Sequence, residues 1–238
     1  MTTIDPQATL GAIVDEHPEL ARTLTQQGLD FCCGGRRRLV DACADRGLDP
    51  EAVAAALAAA VDPSDAGPAA WTGLGATRLV DHLEATHHAY LHTELPWIGE
   101  LVAKVVGVHS GRHPELATVE SIWNEIRADL EPHLMKEERI LFPMIRELES
   151  ASAAPSFHCG TLRNPISVML REHDAVGALL GQLRAATDGY RPPADACDSY
   201  RILYRDLERL EADTHLHVHK ENNVLFPQVE RLEDALGS

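Results

Sequence analysis

Apolar residues along this chain recur at helical spacing, and the alternation that marks strands is nearly absent. In the first sixty residues Thr9 is placed to cap a helix running to about Glu16, and Pro18 to open a second that stops at Gly28. The loop Leu29-Asp30-Phe31-Cys32-Cys33-Gly34-Gly35 follows, then a third helix from about Arg36 to Arg46, ended by Gly47. Asp49 caps a fourth, with Pro50 at its first position and Val61 near its end. A helical unit of roughly fifty residues is marginal alone and calls for a surface to dock on.

The stretch Asp62-Pro63-Ser64-Asp65-Ala66-Gly67-Pro68 has no apolar periodicity and reads as a linker. Four longer helical segments follow, approximately Thr77–Val108, Pro114–Glu149, Pro165–Thr187 and Asp195–Leu232, joined by turns rich in Gly, Pro and Ser. Four helices with short connections imply an all-α, up-down-up-down bundle. The expected organisation is a small helical domain over 1–62, a linker over 63–76 and the bundle over 77–238.

Composition narrows the function. Hydrophobic residues make up 45 % and aromatics only 5 %, so the core must be built from Leu, Val and Ala, which suits helices. The net charge of −16 excludes a nucleic-acid surface, because three basic residues at Arg36–Arg38 are too few to hold a phosphate backbone. The longest apolar run, Ala52 to Val61, is about half a membrane span, and no signal peptide is visible, so a cytoplasmic location is expected. Five cysteines without a CxxC pair argue against a disulfide framework and a zinc ribbon.

An internal repeat carries the chemistry. His133-Leu-Met-Lys-Glu137-Glu-Arg-Ile-Leu-Phe-Pro143 matches His217-Val-His-Lys-Glu221-Asn-Asn-Val-Leu-Phe-Pro227, with the common core H-x-x-K-E-x-x-[IV]-L-F-P. Each copy is preceded by a helix carrying another candidate histidine, His88 or His173. Residues four apart share a helix face, so His133 and Glu137 aim at one centre, and so do His217 and Glu221. With one inward histidine from each remaining helix the set is four imidazoles and two carboxylates. A carboxylate has two oxygens and can bridge, so the set suits two iron or manganese ions with a bridging oxide or hydroxide and a position open to a small molecule. The stripe Val80, Glu84, His87/His88, Leu91, Leu95 admits either neighbouring histidine on the first helix. Pro132, just before His133, bends the helix and puts that side chain's reach in question.

The Cys-Cys-Gly-Gly loop followed by two H-x-x-K-E…LFP blocks resembles the Repair of Iron Centres family, over roughly 9–61 and 77–230. The resemblance implies a hemerythrin-like di-iron bundle behind a small N-terminal domain. It assigns iron ligation to His88 rather than His87, and to His133, Glu137, His173, His217 and Glu221. It also implies restoration of iron–sulfur clusters damaged by nitric oxide or oxidants, with the damaged proteins as partners. The competing reading is a reductase or sensor whose open iron position binds nitric oxide or dioxygen. Monomer and homodimer are both compatible with the sequence.

Cys32 and Cys33 precede the expected start of a helix beginning with three arginines, an environment that favours thiolate. They are expected to be reactive, possessing more acidic thiols than ordinary cysteine, whereas Cys43, Cys159 and Cys197 are expected to pack.

Overall fold

The computed structural model describes residues 3–61 and 69–237. The expected linker therefore lies, as far as residue 68, outside the described residues. Beyond it, Ala69 is buried, its amide donating to the Asp15 carbonyl at 2.8 Å, and a turn leads into the bundle.

The N-terminal unit holds α1 (Leu10–Glu16), a 3-10 turn over Pro18–Leu20, α2 (Ala21–Gln26), α3 (Leu39–Arg46) and α4 (Pro50–Ala60). Thr9 caps α1 by accepting the Ala12 amide at 3.2 Å, and Asp49 caps α4 by accepting the Glu51 amide. Gly47 ends α3 at φ 65°, a left-handed conformation that glycine adopts without strain. Helix α3 starts at Leu39, not Arg36. The intervening arginines are strapped to α1 instead: Leu10 N–H donates to Arg37 O, and Leu39 N–H to Ala8 O.

The bundle is built from four long helices. The first comprises α5 (Ala76–Leu83), a π turn over Glu84–His88, and α6 (Ala89–His109). The second comprises α7 (Glu115–Lys136), a π turn over Glu137–Leu141, and α8 (Phe142–Ser150). The third is the uninterrupted α9 (Arg163–Ala186). The fourth comprises α10 (Asp198–His219), a π turn over Lys220–Leu225, and α11 (Phe226–Leu236). Helix α7 packs against α6 and α9, and α10 against the same two, which closes an up-down-up-down square.

The bundle core falls into two parts. One contains Leu91, Leu95, Leu130, Leu134, Val176 and Leu210, and the other Val80, Leu83, Leu141, Met169, Leu225 and Phe226. Between them lies a layer of buried histidines and glutamates. A third core belongs to the N-terminal unit, but it includes Val218 of α10. The small unit completes its core on the bundle, as its size requires.

Candidate metal centre

The repeat reaches the structure through its prolines. Pro143 and Pro227 lack an N–H, and each ring would collide with the carbonyl four residues back in a tight turn. The preceding turn widens in both copies, so that Phe142 N–H bonds back five residues to Glu137 O, and Phe226 N–H to Glu221 O. Such π turns recur at functional sites because they re-aim side chains. The one over Glu84–His88 turns both His87 and His88 inward, 4 % and 1 % exposed.

Six side chains meet in the buried layer. His88, Glu137, His217 and Glu221 form one group of possible ligands, and His133, Glu137, His173 and Glu221 the other. The two carboxylates are common to both. His88 Nε2 lies 3.2 Å from His217 Nε2, and His133 Nε2 lies 3.1 Å from His173 Nε2. Two nitrogens at right angles on one ion, each at about 2.1 Å, would stand about 3 Å apart. Glu137 Oε2 lies 3.3 Å from His133 Nε2 and 3.5 Å from His88 Nε2. Glu221 lies 3.2 Å from both His173 Nε2 and His217 Nε2. Pro132 sits inside α7 without breaking it, and His133 reaches the layer.

Positive charge is what this layer lacks. Both glutamates are fully buried, and Glu137 Oε1, Glu137 Oε2 and Glu221 Oε2 have no hydrogen-bond donor. A buried carboxylate left so costs several kcal/mol of desolvation unless a cation faces it. In the metal-free chain a proton partly fills that need. Burial works against a charge on His133, but the Glu137 carboxylate outweighs it, and His133 is pushed up to about 9. Burial would raise Glu221 too, yet His217 and His173 hold it well below the usual carboxylate range. His88 is pushed down, by burial first and by His217 second. The donor set fits divalent or trivalent iron, with imidazole and carboxylate only.

The outer nitrogens of these histidines reveal residues that periodicity did not single out. Glu138 accepts from His88 Nδ1 at 2.9 Å, Glu172 faces His133 Nδ1 at 2.9 Å, and Asn222 faces His173 Nδ1 at 2.7 Å. Glu138 and Asn222 each follow a repeat glutamate, so the repeat itself held the signal. His217 has no partner on Nδ1; its ring stacks on His87 at 5.3 Å and 4°. His87 bonds Asp213 through Nδ1 and the buried Lys220 through Nε2, so it is outside both ligand groups.

The cysteine loop docks on the same helix from its other side. Asn223 Nδ2 donates to Cys32 O at 2.9 Å, Asn222 Nδ2 to the same carbonyl at 3.3 Å, and His219 Nε2 pairs with Asp15 at 3.0 Å. Contact is close enough that a Cβ at Gly35 would collide with the Asn223 amide. Asn222 thus links the Cys32 backbone to His173 through one side chain.

The thiols differ from expectation. Helix α3 begins only at Leu39, six residues past Cys33, and Arg37 and Arg38 pair with Asp45 and Asp41. Cys32 is buried, and its thiol is pushed well above the ordinary range by its hydrogen bond to Cys33, by burial and by the nearby Asp30. Cys33 is half-buried and is the accessible one. Cys43 packs in the small core and Cys159 against the bundle core. Cys197 does not pack: it is exposed, with Sγ 3.1 Å from His109 Nε2.

Residues 79–229 match the family described as hemerythrin HHE cation binding domain, and residues 6–61 match a domain of unknown function, DUF542. A protein of Musicola paradisiaca named iron–sulfur cluster repair protein YtfE is 34 % identical over 95 % of this chain and 98 % of its own length. Those of the same name from Enterobacter sp. and Escherichia coli O157:H7 are 33 % and 32 % identical, each over 92 % of this chain and 94 % of theirs. The chain belongs to the Repair of Iron Centres family. Its hemerythrin-like part covers the six-residue layer and its second domain covers the cysteine loop. Among the described residues no helix is long and apolar enough to cross a membrane.

Proposed function

We propose that the chain is a di-iron protein that restores damaged iron–sulfur clusters, and that His88, His133, Glu137, His173, His217 and Glu221 hold its two irons with a bridging oxide or hydroxide. The observation carrying this reading is the pair of buried carboxylates with unmatched oxygens, each facing two imidazole pairs. When bound, iron supplies one-electron redox chemistry and a position for a small ligand such as nitric oxide or dioxygen. The chain's own residues do the rest. Glu137 and Glu221 balance the cation charge, Glu138 and Glu172 fix the rings of His88 and His133 through Nδ1, and Asn222 orients His173. The two halves of the bundle core keep bulk water from the layer.

The loop cysteines are the groups proposed to meet the client, since a thiolate binds both iron and nitrosyl groups. Cys32→Ser/Cys33→Ser, nearly isosteric, should keep the iron spectrum yet lose most of the ability to reactivate a nitric-oxide-damaged cluster protein. Undiminished repair by the double variant would assign the activity to the bundle alone.

A further inference from the structure

Besides the bundle layer, one more group of metal-ligating side chains converges among the described residues. Ligand atoms of Asp30, Cys32 and Cys33 all lie within 4.8 Å of one another. Asp30 Oδ1 accepts the amides of Cys32 at 3.1 Å and Cys33 at 2.9 Å, and Cys32 Sγ lies 3.3 Å from the same oxygen. These bonds hold the carboxylate and both sulfurs on one side of the turn before any ligand arrives.

The cluster opens on a cleft of about 440 Å³ between the loop and α9. Gly177 and Gly181 form part of its far wall, and a Cβ on Gly177 would come within 4.0 Å of Cys33 Sγ. Small residues there leave room for an ion together with a ligand from outside. Arg46 and Asp174 also line the cleft, as does Arg184, which is paired with Glu211.

We propose that Asp30, Cys32 and Cys33 form a second metal site, with two sulfurs and one oxygen as donors, for a borderline-soft divalent ion such as Fe(II), leaving a coordination position open to the cleft. The donor set selects such an ion over Mg(II) or Ca(II), which prefer oxygen alone. Three groups that each become negative resist ionising together, which adds to the hydrogen bond with Cys33 and the burial that raise the Cys32 thiol. A dication removes the conflict. Binding forms two metal–sulfur bonds and one metal–oxygen bond, and the two thiol protons leave to solvent with no change of oxidation state. The ion then passes to client thiolates or sulfides entering through the open position: their bonds to the metal replace, one after another, those to Cys32, Cys33 and Asp30, and the two freed thiolates take protons back from solvent, again without electron transfer. Only this cargo role rests on the repair reading; the site does not.

Co(II) is the probe, added under reducing conditions to the full chain with iron already in the bundle. The bundle layer offers no sulfur, so with the exposed Cys197 beside His109 replaced by serine in every sample, a near-ultraviolet sulfur-to-cobalt charge-transfer band reports the loop. One Co(II) per chain should develop the band when the loop is unchanged. It should disappear in Cys32→Ser/Cys33→Ser, and Asp30→Asn should weaken binding at least about tenfold. Asparagine keeps the oxygen that accepts the two loop amides, so the fold of the turn survives the test. Absence of the band with the loop unchanged overturns the site, and unchanged affinity in Asp30→Asn removes the oxygen donor and with it the proposal. No client protein takes part, so either result stands apart from the outcome of a repair assay.

Discussion

His88 and His87 are neighbours, equally hidden from solvent, and play different parts because of where their ring nitrogens end. His88 Nε2 faces His217 and Glu137 within the layer, whereas His87 Nε2 faces Lys220. His88→Ala is expected to lose iron, and His87→Ala to keep close to two irons per chain by metal analysis. Equal loss in both would show that the π turn does not separate their roles. Asn222 makes a sharper case. Its amide joins His173 to the Cys32 carbonyl, so Asn222→Ala should weaken iron binding roughly 10- to 100-fold, as loss of an outer-shell partner does elsewhere. The variant should also alkylate faster at Cys33, because the loop loses one of its anchors. Iron affinity and alkylation rate both unchanged would reduce Asn222 to a bystander.

The π turns and the helix starts set the geometry of the elements. The amides at the start of α5 have no local side-chain cap; Glu149, at the end of α8, accepts Ala76 and Thr77 amides at 2.8 Å each. Glu233 does the same at the end of α11, accepting the Leu162 amide and the Thr161 hydroxyl. Glu149 stands 149 − 137 = 12 residues past its repeat glutamate and Glu233 stands 233 − 221 = 12 past its own, so the repeat extends to the caps. Burial raises Glu149, but the Thr77 and Ala76 bonds outweigh it and hold the carboxyl below the usual range. Its contribution is therefore complete above the unfolded value of about 4.3 and lost as pH falls through the lower folded value. Glu149→Ala should cost about 1 kcal/mol at neutral pH, and the difference from wild type should shrink in acid. A difference that stays constant to below pH 3 in denaturant titrations would contradict this. The caps Thr9 and Asp49 and the stop at Gly47 were legible in the sequence because their bonds are local. Glu149 and Glu233 were not, because their partners lie more than seventy residues away. The late start of α3 was hidden for the same reason: the strap to α1 decides it, and Arg36–Arg38 alone read as helix.

At the scale of the molecule, α10 and its π turn serve two clients. His217 and Glu221 face the buried layer, while Val218, His219 and Asn223 hold the N-terminal unit. Residues two apart on a helix point to different faces, so His215 and His219 lie off the face that His217 presents to the layer. The spacing was informative, and what it could not disclose was that the outward pair faces another domain: His215 meets Phe31 at 6.1 Å and His219 meets it at 5.7 Å. The bundle and four of the six proposed ligands, His133, Glu137, His217 and Glu221, were readable from the repeat, since they lie in contiguous sequence, whereas the choice of His88 over His87 came from the family resemblance. The docking was not readable, because it depends on surfaces remote in the chain. Excision of residues 1–61 is expected to leave iron in the bundle, as every proposed ligand lies beyond residue 80, but to lower its melting temperature by uncovering Val218. The account turns on the layer itself, and iron quantification with Mössbauer spectroscopy on protein grown with ample iron tests it most directly. Two irons per chain in one coupled centre, lost in Glu137→Ala and Glu221→Ala alike, is the expected result; one zinc and no iron, or a single iron indifferent to either glutamate, would contradict it.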